Sequence, residues 1–167
     1  MQKKHNSNSI KQLKLSNPVY FLALGFGAGL ISKTPGTWGS LVGLLLGWVI
    51  LQFISLSFFI ILTIICFVLG CLICEKTSIA LGVHDHGSIV WDEIVGIFIV
   101  LLAIPALTWQ WCLIAFVIFR FFDITKFFPI RYFDNKLKSG FGIMIDDVLA
   151  AIYSVIVIKI ISFYFFL

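Results

Sequence analysis

The chain has 167 residues, of which 60% are apolar and only 12% charged, about half the charged share of an ordinary soluble domain. So little polar surface cannot cover a soluble core, which excludes a soluble globular fold and points to a protein embedded in a bilayer. The formal charge of +4 comes from 12 Lys+Arg against 8 Asp+Glu, and these cations lie in short segments between apolar runs. That fits anionic headgroups and the positive-inside rule, and it argues against a nucleic-acid partner.

Residues 1–17 are polar and carry Lys3, Lys4, Lys11 and Lys14. No small-residue cleavage site follows the first apolar stretch, so the segment reads as a basic cytoplasmic tail and not as a cleaved signal. Residues 18–167 read as a single transmembrane helical domain. Its first part, 18–32, is apolar but short and glycine-rich, which suits a re-entrant or interfacial helix better than a full span. KTPGTWGS follows and reads as a loop from its Pro and Gly.

Residues 41–74 contain no charge and are too long for one span, which needs about 20 residues. Gln52, Ser55 and Ser57 mark a turn, predicting a helical hairpin over 41–54 and 57–74. Residues 75–91 form a polar connection. A second hairpin is predicted over 90–106 and 109–122, turning at Pro105 to Thr108. Residues 123–143 are the most charged loop, and a last span covers 145–165, with Lys159 snorkelling. The expected fold is all-α, a polytopic membrane helical bundle of about four to five spanning helices plus the short N-terminal helix. Both basic regions, the tail and 120–138, and the 75–91 connection should face the cytoplasm. Nothing in the sequence sets an oligomeric state.

The four cysteines include Cys71-Leu-Ile-Cys74, with redox or zinc spacing. It lies in an apolar run with no second pair, so lipid-embedded thiols are the better reading.

The acids carry the chemistry. Asp92 and Glu93 open the third apolar segment, Asp123 closes the fourth, and Asp146 and Asp147 open the last. All five fall at ends assigned to one membrane side. A charge within a span costs roughly 2.5–3.5 kcal/mol at its centre and less near an end, and crowded carboxylates repel one another. A divalent cation offsets both, and oxygen ligands suit Mg²⁺. Helix capping by the dipole is the bland alternative for four of these acids. It does not fit Asp123, at a helix C-terminal end.

Lys126 follows Asp123 by one turn and can face the same site, binding phosphate or pairing with a carboxylate. Arg120 and Arg131 read as ordinary interfacial cations on their own. The Lys33-Thr34-Pro-Gly-Thr37-Trp-Gly-Ser40 stretch can offer backbone N–H groups, hydroxyls and a charge to an anion, without the pattern of a nucleotide P-loop. His84-Asp-His86 has spacing that does not share a helix face, so hydrogen-bonding roles are expected before metal ligation.

Four stretches together resemble the bacterial phosphatidylglycerophosphatase A family. They are Pro35-Gly-Thr-Trp-Gly-Ser40, Gly82-Val-His-Asp-His-Gly-Ser-Ile-Val-Trp-Asp-Glu93, Phe119-Arg-Phe-Phe-Asp-Ile-Thr-Lys126 with Pro129-Ile-Arg131, and Gly140-Phe-Gly-Ile-Met-Ile-Asp-Asp147. They run in the family's order over about residues 16–155. The resemblance implies a Mg²⁺-dependent, multi-pass phosphatase of the bacterial inner membrane. Its phospholipid substrate would be phosphatidylglycerophosphate, dephosphorylated to phosphatidylglycerol at the cytoplasmic face. Carried over by motif, Asp92, Glu93, Asp123, Asp146 and Asp147 look like the metal and catalytic set. Lys126 looks like a catalytic cation that binds phosphate; Lys33, Thr34, Thr37, Ser40 and Arg131 are further candidates to meet the phosphate from their own chemistry. Phe127 stands where the family usually has Pro, which puts loop geometry in doubt. The rival from another class is a cation carrier or channel lined by carboxylates, whose acids would be strung along a path.

Overall fold

A computed structural model describes residues 13, 15–31, 33–128, 130 and 137–165. Every regular element among them is helical. The basic tail, except Leu13 and residues 15–17, lies outside the described residues, as do Pro129 and Arg131.

Helix α1, Pro18–Ala23, begins where Asn17 Oδ1 accepts from the Val19 N–H and Pro occupies the first turn. A 3-10 turn, Gly25–Leu30, follows across a kink at Phe26 (φ 59) and Gly27 (φ 100). Neither piece is long enough to cross a bilayer.

Helix α2, Pro35–Phe53, starts inside the stretch expected to be a loop. The correction has a simple cause: Pro at N1 already has the helical φ and no N–H to lose. Thr37 and Ser40 are therefore helical. Thr34, the residue before the Pro, takes a left-handed conformation (φ 52, ψ 55). Helix α3, Leu56–Leu81, extends through Glu75 and Lys76 into the segment expected to be a polar connection. It ends only at Gly82, whose φ of 68 supplies a left-handed C-cap at no steric cost.

Helix α4, Trp91–Leu101, is shorter than the expected 90–106. Its 11 residues span about 16 Å, roughly half a hydrocarbon core. It is buried along nearly all its length and packs against α2, α3 and two later helices. Its apolar residues are therefore core, not lipid-facing surface. Helix α5, Trp109–Thr125, follows a turn, with Thr108 Oγ1 accepting from the Trp111 N–H. Helix α6, Gly140–Phe165, starts five residues before the expected 145. Glu75 on α3 accepts from the Gly140 N–H, so a carboxylate holds the positive end of α6.

Among the described residues, three helices are long and apolar enough to cross a membrane: Pro35–Phe53, Leu56–Leu81 and Gly140–Tyr164. Polar groups inside them are satisfied locally. Thr63, Thr77 and Ser154 donate to carbonyls one turn back, each at 2.8 Å. The start of α4 is tied to α3 by the Trp91 indole N–H, which donates to the Cys66 carbonyl at 3.1 Å. All four cysteines are free thiols.

Candidate active site

The order of the helices decides what meets. The first turns of α2 and α4, the last turn of α5 and the second turn of α6 line one cavity of about 460 Å³. Asp92, Glu93, Asp123, Asp146 and Asp147 all reach it, with Thr34, Thr37 and Lys126. The acids thus share one chamber instead of marking a path along the bundle.

Within the chamber the acids divide into two groups. Asp92, Glu93 and Asp147 bring one carboxylate oxygen each to within 4.8 Å of one another. Asp92 Oδ1, Glu93 Oε2 and Asp147 Oδ2 are buried and have no hydrogen-bond partner among the described residues. Buried anionic oxygens left without donors are costly, and three hard oxygens converging from two helices suit a hard divalent cation. The residues present therefore fit the ion that the sequence suggested.

Asp123 and Asp146 are engaged by cations instead. Arg120 lies three residues before Asp123 on the same helical face, and its Nη1 pairs with Asp123 Oδ2. The same Nη1 donates to Ser40 Oγ at 3.3 Å and stands 4.0 Å from Glu93 Oε1. Lys126 closes α5 in a left-handed conformation (φ 41), uncommon for a residue with a Cβ. That bend accompanies the return of its side chain to the chamber, where Nζ lies 2.6 Å from Asp146 Oδ2 and 4.0 Å from Asp85 Oδ2. Asp146 Oδ1 in turn accepts from the Asp147 N–H at 3.1 Å.

The capping alternative applies to only part of this set. Asp92 and Glu93 sit in the first turn of α4. The early start of α6 puts Asp146 and Asp147 beyond its first turn, where orphan N–H groups have ended.

The expected phosphate-binding residues are not all in place. Lys33 is exposed and Ser40 is fully buried, and neither lines the cavity. Ser40 Oγ donates to the Gly36 carbonyl at 2.8 Å while accepting from Arg120, so it orients a cation. The Thr34 hydroxyl turns back to the Lys33 carbonyl at 2.8 Å. Arg131 lies outside the described residues.

Two further charged residues line the cavity without being site candidates from the sequence. Arg120 was read as an interfacial cation, although its i,i+3 spacing from Asp123 was a usable signal. Asp85 offered none. The histidines beside it make hydrogen bonds: His84 Nε2 lies 3.0 Å from the Leu137 carbonyl, and His86 Nδ1 accepts from the Ser88 N–H at 3.2 Å.

Gly36 governs how tightly this corner closes. A Cβ there would overlap Glu93 Oε1 and lie 3.2 Å from Arg120 Nη1. The α2 backbone can approach the site only because that position has no side chain.

Comparison with known proteins places these residues in a wider context. Residues 21–162 match the family model described as phosphatidylglycerophosphatase A. A Haemophilus influenzae protein named phosphatidylglycerophosphatase A is 61% identical over 158 residues, covering 95% of this chain and 97% of its own length. An Escherichia coli K12 protein of the same name is 43% identical over 151 residues, covering 90% of this chain and 87% of its own. No solved structure matches the chain.

Proposed function

The chain belongs to the phosphatidylglycerophosphatase A family, and from that premise we propose how its carboxylate chamber performs the reaction. The protein is a phosphatase that hydrolyses the terminal phosphomonoester of phosphatidylglycerophosphate, giving phosphatidylglycerol and phosphate. The reading of the site rests on one observation. Asp92, Glu93 and Asp147 each hold a buried carboxylate oxygen without a hydrogen-bond partner among the described residues, in a cavity that Lys126 and Arg120 also line.

These three carboxylates would hold Mg²⁺. When bound, the ion supplies Lewis-acid polarisation of a phosphoryl oxygen. The side chains supply the remaining parts of an in-line displacement. Lys126 and Arg120 receive the dianionic phosphate and neutralise charge that spreads over its oxygens. As Lys126 turns to the phosphate, Asp146 is released to accept a proton from the attacking water. The phosphorus–oxygen bond to the lipid glycerol then breaks, and the departing oxygen takes a proton from solvent. The Thr37 hydroxyl offers a donor in the cavity, the Thr37 and Trp38 N–H groups being engaged by the Thr34 carbonyl. Asp123 keeps the Arg120 fork in place, itself fixed by Ser40.

The membrane arrangement follows from the same chamber. The N-terminal parts of α2, α4 and α6 and the C-terminal end of α5 meet there. From α2 to α6 the chain would alternate direction through five helical segments, of which α2, α3 and α6 are long and apolar enough to cross while α4 is a short buried core element. The short helix and 3-10 turn over 18–30 would return without crossing. The basic segments support a cytoplasmic chamber and N-terminus, at the bacterial inner membrane, through the positive-inside rule. Residues 18–167 form a single domain that works with its lipid substrate still in the bilayer.

The test is phosphate release from phosphatidylglycerophosphate in mixed micelles by the purified protein. Release should cease with chelator and return with Mg²⁺. Undiminished release in chelator would overturn the metal site, and no release in either condition would overturn the activity.

A further inference from the structure

A second cavity, of about 400 Å³, lies between α2 and α5 and is lined by Leu44, Leu45, Trp48, Trp109, Cys112 and Leu113. Every one of these side chains is apolar or amphipathic. Leu45, Trp48, Trp109 and Leu113 are exposed along it, while Cys112 is buried. We propose that this groove holds an acyl chain of the lipid whose phosphate occupies the chamber, a reading that rests on the phosphatase assignment.

The argument is one of register. The chamber is lined by Thr37 on α2 and Arg120 on α5, the groove by Leu44 and Leu113. On α2 the step from Thr37 to Leu44 is seven positions, and on α5 the step from Arg120 to Leu113 is also seven. Each corresponds to about 10 Å of rise. The two helices run in opposite directions, so both steps lead the same way from the phosphate site. Chamber and groove are thus successive openings along one seam, which is pinned at the chamber end by the Arg120–Ser40 hydrogen bond. A lipid headgroup held among carboxylates and cations must direct its chains into hydrocarbon, whose half-thickness is about 15 Å. A groove beginning about 10 Å from the headgroup site falls at the depth of the distal half of such a chain. The polarity changes in the same sense, from six acids at one opening to none at the other.

A chain seated here would position the headgroup, because each methylene in contact with Leu44 or Leu113 resists withdrawal of the phosphate from the chamber. The groove then favours long-chain lipid phosphates over short-chain or soluble phosphomonoesters.

The test compares dioleoyl and dihexanoyl phosphatidylglycerophosphate in detergent micelles with Mg²⁺. Leu45→Trp and Leu113→Trp would each fill the groove from an exposed position. Ile64→Trp, exposed on α3 and away from the groove, serves as the control. The groove variants should raise KM for the dioleoyl lipid about tenfold, the equivalent of roughly 1.4 kcal/mol of packing lost between chain and groove. They should leave kcat for that lipid, and both constants for the dihexanoyl lipid, unchanged. The control should change neither substrate. Equal effects on both lipids, or no effect on the long one, would overturn the groove assignment while leaving the phosphatase reading intact. Failure of the unaltered protein to hydrolyse either lipid would overturn the phosphatase reading instead.

Discussion

Lys126 Nζ lies 2.6 Å from Asp146 Oδ2, a contact made possible by the left-handed turn that ends α5. In the proposed reaction this cation exchanges a carboxylate for the substrate phosphate. Replacing it with Met removes one charge-assisted contact to phosphate. KM for phosphatidylglycerophosphate should rise about 10- to 100-fold, and Lys126→Arg should recover part of the loss. Unchanged KM in Lys126→Met, measured with Mg²⁺ saturating, would remove the residue from phosphate binding.

Asp147→Asn tests the carboxylate trio. The substitution preserves shape and removes one of three mutually repelling charges. Thermal stability without metal should be equal or higher, while kcat should fall by about 10²- to 10³-fold. Mg²⁺ should raise the Tm of the unaltered protein through linkage, and that rise should vanish in the variant. A preserved Mg²⁺-induced shift would place the ion elsewhere.

Gly36→Ala separates helix propensity from site geometry. Within α2 the change should favour the helix by up to about 1 kcal/mol. The added Cβ, however, would overlap Glu93 Oε1 and push that carboxylate from the trio. Displacements of this size cost about 100-fold in rate. The expected result is a folded protein, Tm within a few degrees of the original, with kcat strongly reduced. Normal turnover would mean that Glu93 has room to move without consequence.

His86, in the loop between α3 and α4, is buried with Nε2 unpartnered among the described residues. Desolvation lowers its pKa from the usual 6.5, opposed by neighbouring Asp85. The neutral ring is therefore the folded form. Its contribution to stability is full above the unfolded pKa and declines as pH falls below it toward the folded value. Thermal unfolding followed from pH 7.5 to 5.5 should show a loss on the acid side that is smaller in His86→Gln. Identical pH profiles for the two proteins would show that the ring titrates without cost.

The sequence by itself determined the solvent and the chemistry. A charge-free run from 41 to 74 has no stable place outside hydrocarbon, and a polar turn at Ser55 divides it into two helices whatever surrounds them. The five acids stood out because carboxylates among apolar segments need a compensating partner. What sequence could not decide was where α4 and α6 begin and end, because apolar residues read alike whether they face lipid or protein. Burial of α4 at the bundle centre made it a core element of 11 residues and carried Asp92 and Glu93 inside with it. The start of α6 at Gly140, held by Glu75, moved Asp146 and Asp147 out of capping range. Only the packing of these helices brought three carboxylates against one another, Glu93 among them with one oxygen toward Arg120, and gave Asp123 and Asp146 closer cation partners. Local pattern fixes which residues are charged and which turns are helical, whereas long-range contact alone fixes which charges share a space.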